Sequence, residues 1–229
     1  MPFRRFDLFN SYCDEIHKER DLFALWEPIA NPVQLGDYGT MEAGNRFNPI
    51  GNIRDFGIPI EARDSPSGPI KYESQSKLTY HVPLKVGDVA PAKLDVKFTK
   101  KNSILMIVEE LTISEIKNLT EVDRKLCDYS KSKNNRWRMS WKFVTQRYIS
   151  RRFFIAISED KDTQVTFTGK IPAAVTGAAS ISLKDMSYST KRGAVATYDH
   201  NVGTVKTPLF QLFEIKDSAF SPRRIEQFK

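Results

Sequence analysis

Between residues 131 and 152 the sequence places eight basic side chains and no Asp or Glu: Lys131, Lys133, Arg136, Arg138, Lys142, Arg147, Arg151 and Arg152. Trp137, Trp141, Phe143 and Tyr148 are set among them. Like charges repel one another, so such a stretch persists most easily where it faces phosphate, of a nucleic acid or of an acidic lipid. A solvated charged face on an ordinary domain has the same composition. The bias extends beyond the stretch: residues 1–115 hold 14 Lys and Arg against 17 Asp and Glu, whereas residues 116–229 hold 21 against 11. One end of the molecule should therefore be electropositive.

Residues suited to covalent or metal chemistry are sparse. His17, His81 and His200 fall in different expected elements and show no metal-ligand spacing. No GxxxxGK[ST] phosphate loop and no GxSxG nucleophile elbow occurs, and Gly36-Asp37-Tyr38-Gly39 reads as a glycine turn. Asp37, Asp55 and Asp64 lie among turns, where Asp is at home for structural reasons. Cys13 and Cys127 are isolated, with neither a CxxC nor an even framework, which argues against a zinc site and a disulfide scaffold and points to a reducing cytoplasm. The reading is of a non-enzyme without metal or cofactor.

The elements that must position the basic stretch are mostly strands. With 229 residues, 40% of them hydrophobic, the chain can form one large core. It reads as a single domain over 1–215 with a patternless tail at 216–229. No apolar run approaches the roughly 18 to 20 residues of a spanning helix, and MPFRRFDLFN lacks the apolar core of a signal peptide. Phe6, Phe9, Tyr12, Cys13, Ile16 and Phe23 lie near a helical period, giving a helix over 10–22. Residues 28–70, rich in Pro and Gly, should form short strands and turns.

From Lys71 the period becomes two. Leu78, Tyr80, Val82 and Leu84, then Leu94, Val96 and Phe98, alternate with polar residues across a Gly87-Asp88 turn, an amphipathic hairpin signal. A strand over 103–109 follows, then a helix from Thr112 or Ser114 to Tyr129, then a loop over 130–136. A second β block places Met139, Trp141 and Phe143 on the face of one strand, Phe153, Ile155 and Ile157 on that of another, and Val165 and Phe167 on that of a third. Strands over 180–188, 194–198 and 209–215 complete it. The expected class is α+β, with a twisted, mainly antiparallel sheet and a few helices.

This order resembles the pore-forming amino-terminal domain of the gasdermins over roughly residues 10–215. The residues that look alike are Trp26-Glu-Pro28 followed by Leu35-Gly-Asp37, then Ile70-Lys-Tyr-Glu73, then Gly169-Lys-Ile-Pro-Ala-Ala174. The chain is similar to the short bacterial or fungal members that lack a large C-terminal inhibitory domain, although its first cysteine is Cys13 and not near-terminal. The resemblance implies a protein that is cytoplasmic when inactive and binds acidic phospholipid. It would then assemble with itself or a related chain at the cell membrane and insert β-hairpins, causing lytic cell death.

On that reading Arg4, Arg5 and the 131–152 cluster attract anionic headgroups, and Phe23, Leu25 and Trp26 form an apolar tip at the interface. Leu78, Tyr80, Val82, Leu84, Leu94, Val96, Phe98, Phe153, Ile155, Ile157, Val165 and Phe167 then face lipid, since only a closed β-barrel satisfies the backbone of a chain without spanning helices. Half-buried strands of an ordinary sheet carry the same periodicity. The competing class is a basic module for single-stranded nucleic acid, a less favoured partner here, in which Trp137, Trp141 and Phe143 stack on bases. An assembly protein without lytic activity is a third class, for which the sequence holds no positive signal.

Overall fold

Alternating apolar residues in two blocks of the chain build two sheets that face each other, and the segments before, between and after those blocks build a third sheet. The computed structural model describes residues 3–25, 33–74, 78–82, 92–133, 136–169, 177–184, 186–191, 195–200, 206–218 and 221–229. The helices are α1 (Phe3–Arg20) and α2 (Leu119–Lys131). The first nine strands are β1 (Phe23–Ala24), β2 (Asp37–Glu42), β3 (Arg46–Asn52), β4 (Ala62–Ser67), β5 (Ile70–Glu73), β6 (Leu78–His81), β7 (Ala92–Phe98), β8 (Ile104–Glu109) and β9 (Leu111–Ile116). They are followed by β10 (Lys142–Ser150), β11 (Arg152–Ser158), β12 (Thr163–Gly169), β13 (Met186–Lys191), β14 (Val195–His200), β15 (Lys206–Ser218) and β16 (Ser221–Gln227). Short 3-10 turns lie at Ile53–Phe56 and Ala178–Ser180. The class is α+β with mostly antiparallel strand pairing. The chain forms two compact units interleaved in sequence, one of Met1–Leu8, Gly68–Leu111 and Ser150–Thr204 and one of Phe9–Ser67, Thr112–Ile149 and Val205–Lys229.

The first unit is a β-sandwich. One sheet runs β14-β11-β8-β5 and the other β13-β12-β7-β6. Leu94, Val96 and Phe98 of β7 and Val165 and Phe167 of β12 interdigitate with Leu105 and Ile107 of β8 and Phe154 and Ala156 of β11, all essentially without solvent exposure. Leu78, Tyr80 and Val82 pack partly buried against the same core. Phe153, Ile155 and Ile157 are also fully buried, so β11 is apolar on both faces instead of amphipathic.

These placements correct the pore-forming reading. Leu78, Tyr80, Val82, Leu94, Val96, Phe98, Val165 and Phe167, all assigned to lipid, face the inside of a sandwich; Phe153, Ile155 and Ile157 are buried on the other face of β11, and Leu84 lies outside the described residues. Each sheet of the described residues is an open path ending in edge strands and none closes on itself. No helix among them is long and apolar enough to cross a membrane. Period two reported burial between sheets, which produces the same alternation as a lipid face. Burial of these faces corrects the expectation of membrane permeabilisation, lytic cell death and an acidic-membrane partner.

The second unit carries an eight-stranded sheet with the path β1-β15-β10-β2-β3, to which β16 adds on β15, β9 on β10 and β4 on β9. One core gathers Leu35, Tyr38, Ile53, Ile58, Ile116, Val122, Leu126, Trp137, Trp141, Phe143 and Ile215. Another gathers Phe23, Val33, Phe47, Val144, Phe210 and Leu212. Phe143 and Val144 are neighbours in β10 and serve different cores, as strand alternation requires.

Several expected elements shift, the strand over 180–188 among them, since β13 begins only at Met186. Helix α1 begins at Phe3 and ends where Asp21 turns to φ 56°. Residues 111–116 are strand β9, paired with β10 through Ser114 opposite Arg147, so the helix starts only at Leu119. A Thr or Ser that resembles a helix cap in sequence is used here in a ladder. The last strand extends to Ser218, across the expected boundary at 215, and the supposed tail supplies β16, which pairs with β15 through Ile225 opposite Ile215.

Candidate functional site

Helix α2 and the segment that follows it position the charges. Val122, Leu126, Cys127 and Ser130 are buried along one stripe of α2, and Glu121 pairs with Lys125 at 2.7 Å on the outer side. The Glu121 carboxyl is held below its ordinary range, first by the hydrogen bond from Lys125 and then by that from Asn118. Lys131 closes the last turn, where a cation complements the negative end of the helix dipole.

The chain then returns to the core through two tryptophans. Trp137 and Trp141 are buried, and their rings stand edge to face at 5.6 Å. Tyr38 lies 5.6 Å from Trp137 and 4.7 Å from Trp141. Phe143 and Phe56 complete the aromatic packing around Trp137. The backbone N–H of Arg136 donates to the Tyr129 hydroxyl at 3.3 Å, tying the segment to α2. A turn in which the Trp141 N–H donates to the Arg138 carbonyl replaces the expected strand over 137–141, so Met139 points outward at 37% exposure.

Between these anchors the cations remain outside. Lys131, Lys133, Arg136 and Arg138 are exposed, and none has an acidic partner among the described residues. The Arg138 guanidinium lies 5.9 Å from the centroid of the Trp141 ring. Several cations elsewhere in this unit are matched: Arg46 with Glu42, Arg63 with Glu115, Lys117 with Glu61, Arg124 with Asp128, and Lys216 and Arg224 with Glu226. Lys131, Lys133, Arg136 and Arg138 thus carry unmatched positive charge beside the buried Trp137 and Trp141.

The other basic residues of the stretch do different work. Lys142 is buried in an ion pair with Glu214, its ammonium 4.5 Å from the centroid of Phe228. Arg147 is half-buried and donates from Nη1 to Gln34 Oε1 at 2.9 Å, and burial lowers its pKa from the ordinary value. Arg151 and Arg152 belong to the sandwich unit, where Arg151 is exposed and Arg152 pairs with Glu110 at 3.0 Å. Arg4 and Arg5 lie on α1, and their side chains are outside the described part.

The remaining sequence expectations resolve into core and turns. Phe23 of the supposed membrane tip is buried, pairs with Phe210 across β1 and β15, and stacks on His17 at 4.2 Å. Leu25 packs partly buried on the same cluster, and Trp26 lies outside the described residues. Trp137, Trp141 and Phe143 are inside, so bases cannot stack on them. Both thiols are buried and pushed up to about 12 chiefly by burial, so neither offers a thiolate near neutral pH. Among the described residues no group of three His, Cys, Asp or Glu could hold a metal ion.

The motif-like segments have structural explanations where they are described. Gly36 has φ 81°, and a Cβ there would come within 2.2 Å of Ile60 Cδ1. Asp37 accepts hydrogen bonds from the Gln34 N–H at 2.7 Å and from Asn52 Nδ2 at 2.8 Å. Residues 70–73 are β5, whereas 26–28 and 170–174 lie outside the described residues. No protein-family model matches the chain, and no curated protein matches it.

Proposed function

We propose that this chain is a non-enzymatic polyanion-binding protein whose Lys131, Lys133, Arg136 and Arg138 engage the phosphate backbone of a nucleic acid by charge and not by base stacking. One observation carries the reading: these four cations are exposed and unmatched on a segment anchored at Trp137 and Trp141, while the cations named above have carboxylates. An unmatched cation is free to neutralise a phosphate and release the counterion condensed on the nucleic acid, and that release drives binding. Fixing the segment beforehand lowers the ordering cost on association. Kinship of fold with the gasdermin amino-terminal domain enters at the level of architecture alone, supported by the order of a leading helix, a β region, an inserted helix and a second β region.

Fluorescence anisotropy of a labelled oligothymidylate against salt tests the proposal. With four cations engaged, log K should fall with log salt at a slope of roughly −3 for a single strand. In a Trp26→Phe chain the tryptophan emission should stay unquenched, because neither Trp137 nor Trp141 is at the surface. Absence of binding at low salt, or affinity indifferent to salt, would reject it.

A further inference from the structure

Strands β12 and β13 are hydrogen-bonded neighbours with Gly169 opposite Met186, yet sixteen residues separate those two positions. Part of this connection, residues 177–184, leaves its own sheet and lies against the opposite one, beside β5 and β8. Ala178, Ile181 and Leu183 insert into the sandwich core, whereas Ala179, Ser182 and Lys184 stay exposed. Its internal order consists of short turns, with the Ser180 N–H donating to the Gly177 carbonyl and the Ile181 N–H to the Ala178 carbonyl.

What holds this strap is unusual for a sandwich interior. In the β5–β8 register Lys71 stands opposite Ile107 and Glu73 opposite Leu105, and both partners belong to the core, so the two charged side chains point inward. Glu109, two residues beyond Ile107, shares that face. Three ionisable groups would thus line the inner face at its edge, at a high desolvation cost without partners.

The strap's main chain supplies those partners. The Ala178 N–H donates to Glu73 Oε2 at 2.9 Å and the Leu183 N–H to Glu109 Oε2 at 3.1 Å. Lys71 Nζ donates to the carbonyls of Ala179, at 3.1 Å, and Ile181. Glu73 Oε2 also accepts from the Tyr80 hydroxyl of the facing sheet, and this bond joins burial in raising the tyrosine pKa.

We propose that residues 177–184 form a latch, an intramolecular ligand seated in a charged cradle of Lys71, Glu73 and Glu109, which opens as a unit while the sandwich stays folded. Its attachment rests on a few side-chain to main-chain bonds and three apolar insertions, and residues 177–184 belong to no strand. Segments held this way open at lower free energy than central strands. Opening would bare the inward charges and the apolar seam between the sheets, turning a closed sandwich into one with an accessible groove.

Native-state hydrogen exchange resolved at single amides, on the whole protein, tests this. In the unaltered chain the Ala178 and Leu183 amides should be protected, yet exchange at least tenfold faster than the amides of β8 and β11. Glu109→Gln should speed exchange of Leu183 about tenfold further and leave β8 and β11 unchanged. Latch amides exchanging as slowly as β8 and β11 in the unaltered protein would overturn the proposal whatever the variant does, as would a variant in which all regions accelerate together.

Discussion

Lys142 and Glu214 form a buried ion pair between the adjacent strands β10 and β15, beneath the ring of Phe228. A residue that belongs by sequence to a phosphate-seeking run is therefore committed to the interior. Removing one partner of such a pair leaves the other charge uncompensated, which costs more than the pair itself contributes. Glu214→Gln should lower unfolding free energy by about 3 kcal/mol in urea titration. Replacing both residues, Lys142→Met with Glu214→Leu, should recover most of that loss.

The anchoring role of Trp137 makes a second prediction. Its indole Nε1 is buried with no hydrogen-bond partner among the described residues, so the residue is valued for volume and contact and not for its N–H. Trp137→Ala should cost about 3 to 5 kcal/mol. Trp137→Phe, which deletes the unpartnered donor and keeps an aromatic ring, should cost under about 1.5 kcal/mol. Equal losses for the two, measured by chemical denaturation, would mean that the indole nitrogen has a partner.

How far the molecule could be read from its sequence depended on which side of a strand mattered. The hairpin of β6 and β7 was legible from Leu78, Tyr80, Val96 and Phe98, and the pairing of Tyr80 with Val96 confirms it. The identity of what those faces meet was not legible, because a lipid and a second sheet demand the same alternation. At the basic stretch, exposure of Lys131, Lys133, Arg136 and Arg138 follows from a polar, acid-free segment. The burial of Lys142 depends on Glu214, 72 residues away, which no local pattern reveals. The turn at 137–141 escaped because Trp, Met and Trp at alternate positions mimic a strand when two of them instead fold back into one core.

The corrected placement of Val96 is itself testable. It is fully buried between the two sheets, so Val96→Asp places a carboxylate in the sandwich core. The expected loss is about 4 kcal/mol or more, enough to unfold a marginal domain. A variant that keeps the unaltered melting temperature by circular dichroism would show that this face is open to water.

Burial of Cys13 predicts a dependence on alkaline pH. Its thiol is raised from 9.0 to about 12, first by burial and then by Asp14. A group whose folded pKa lies above its unfolded value contributes stability that is fully present below the unfolded pKa and is lost as pH rises through the folded one. Stability should therefore decline from about pH 9 to about pH 12, and Cys13→Ala should flatten that decline. Iodoacetamide at about pH 8 should leave Cys13 unmodified until denaturant is added, as read by intact mass.

Charge reversal at the unmatched patch, Lys131→Glu with Lys133→Glu, Arg136→Glu and Arg138→Glu, tests the central claim most directly, compared with reversal of the matched residues Lys117 and Arg124. Melting temperature is recorded for both variants, and oligothymidylate affinity is measured at about 50 mM salt. The account predicts at least a hundredfold loss for the patch variant, with the salt dependence nearly abolished and the fold intact, and a loss of no more than about threefold for the control. Oligonucleotide binding by a folded patch variant within threefold of the unaltered protein would contradict it.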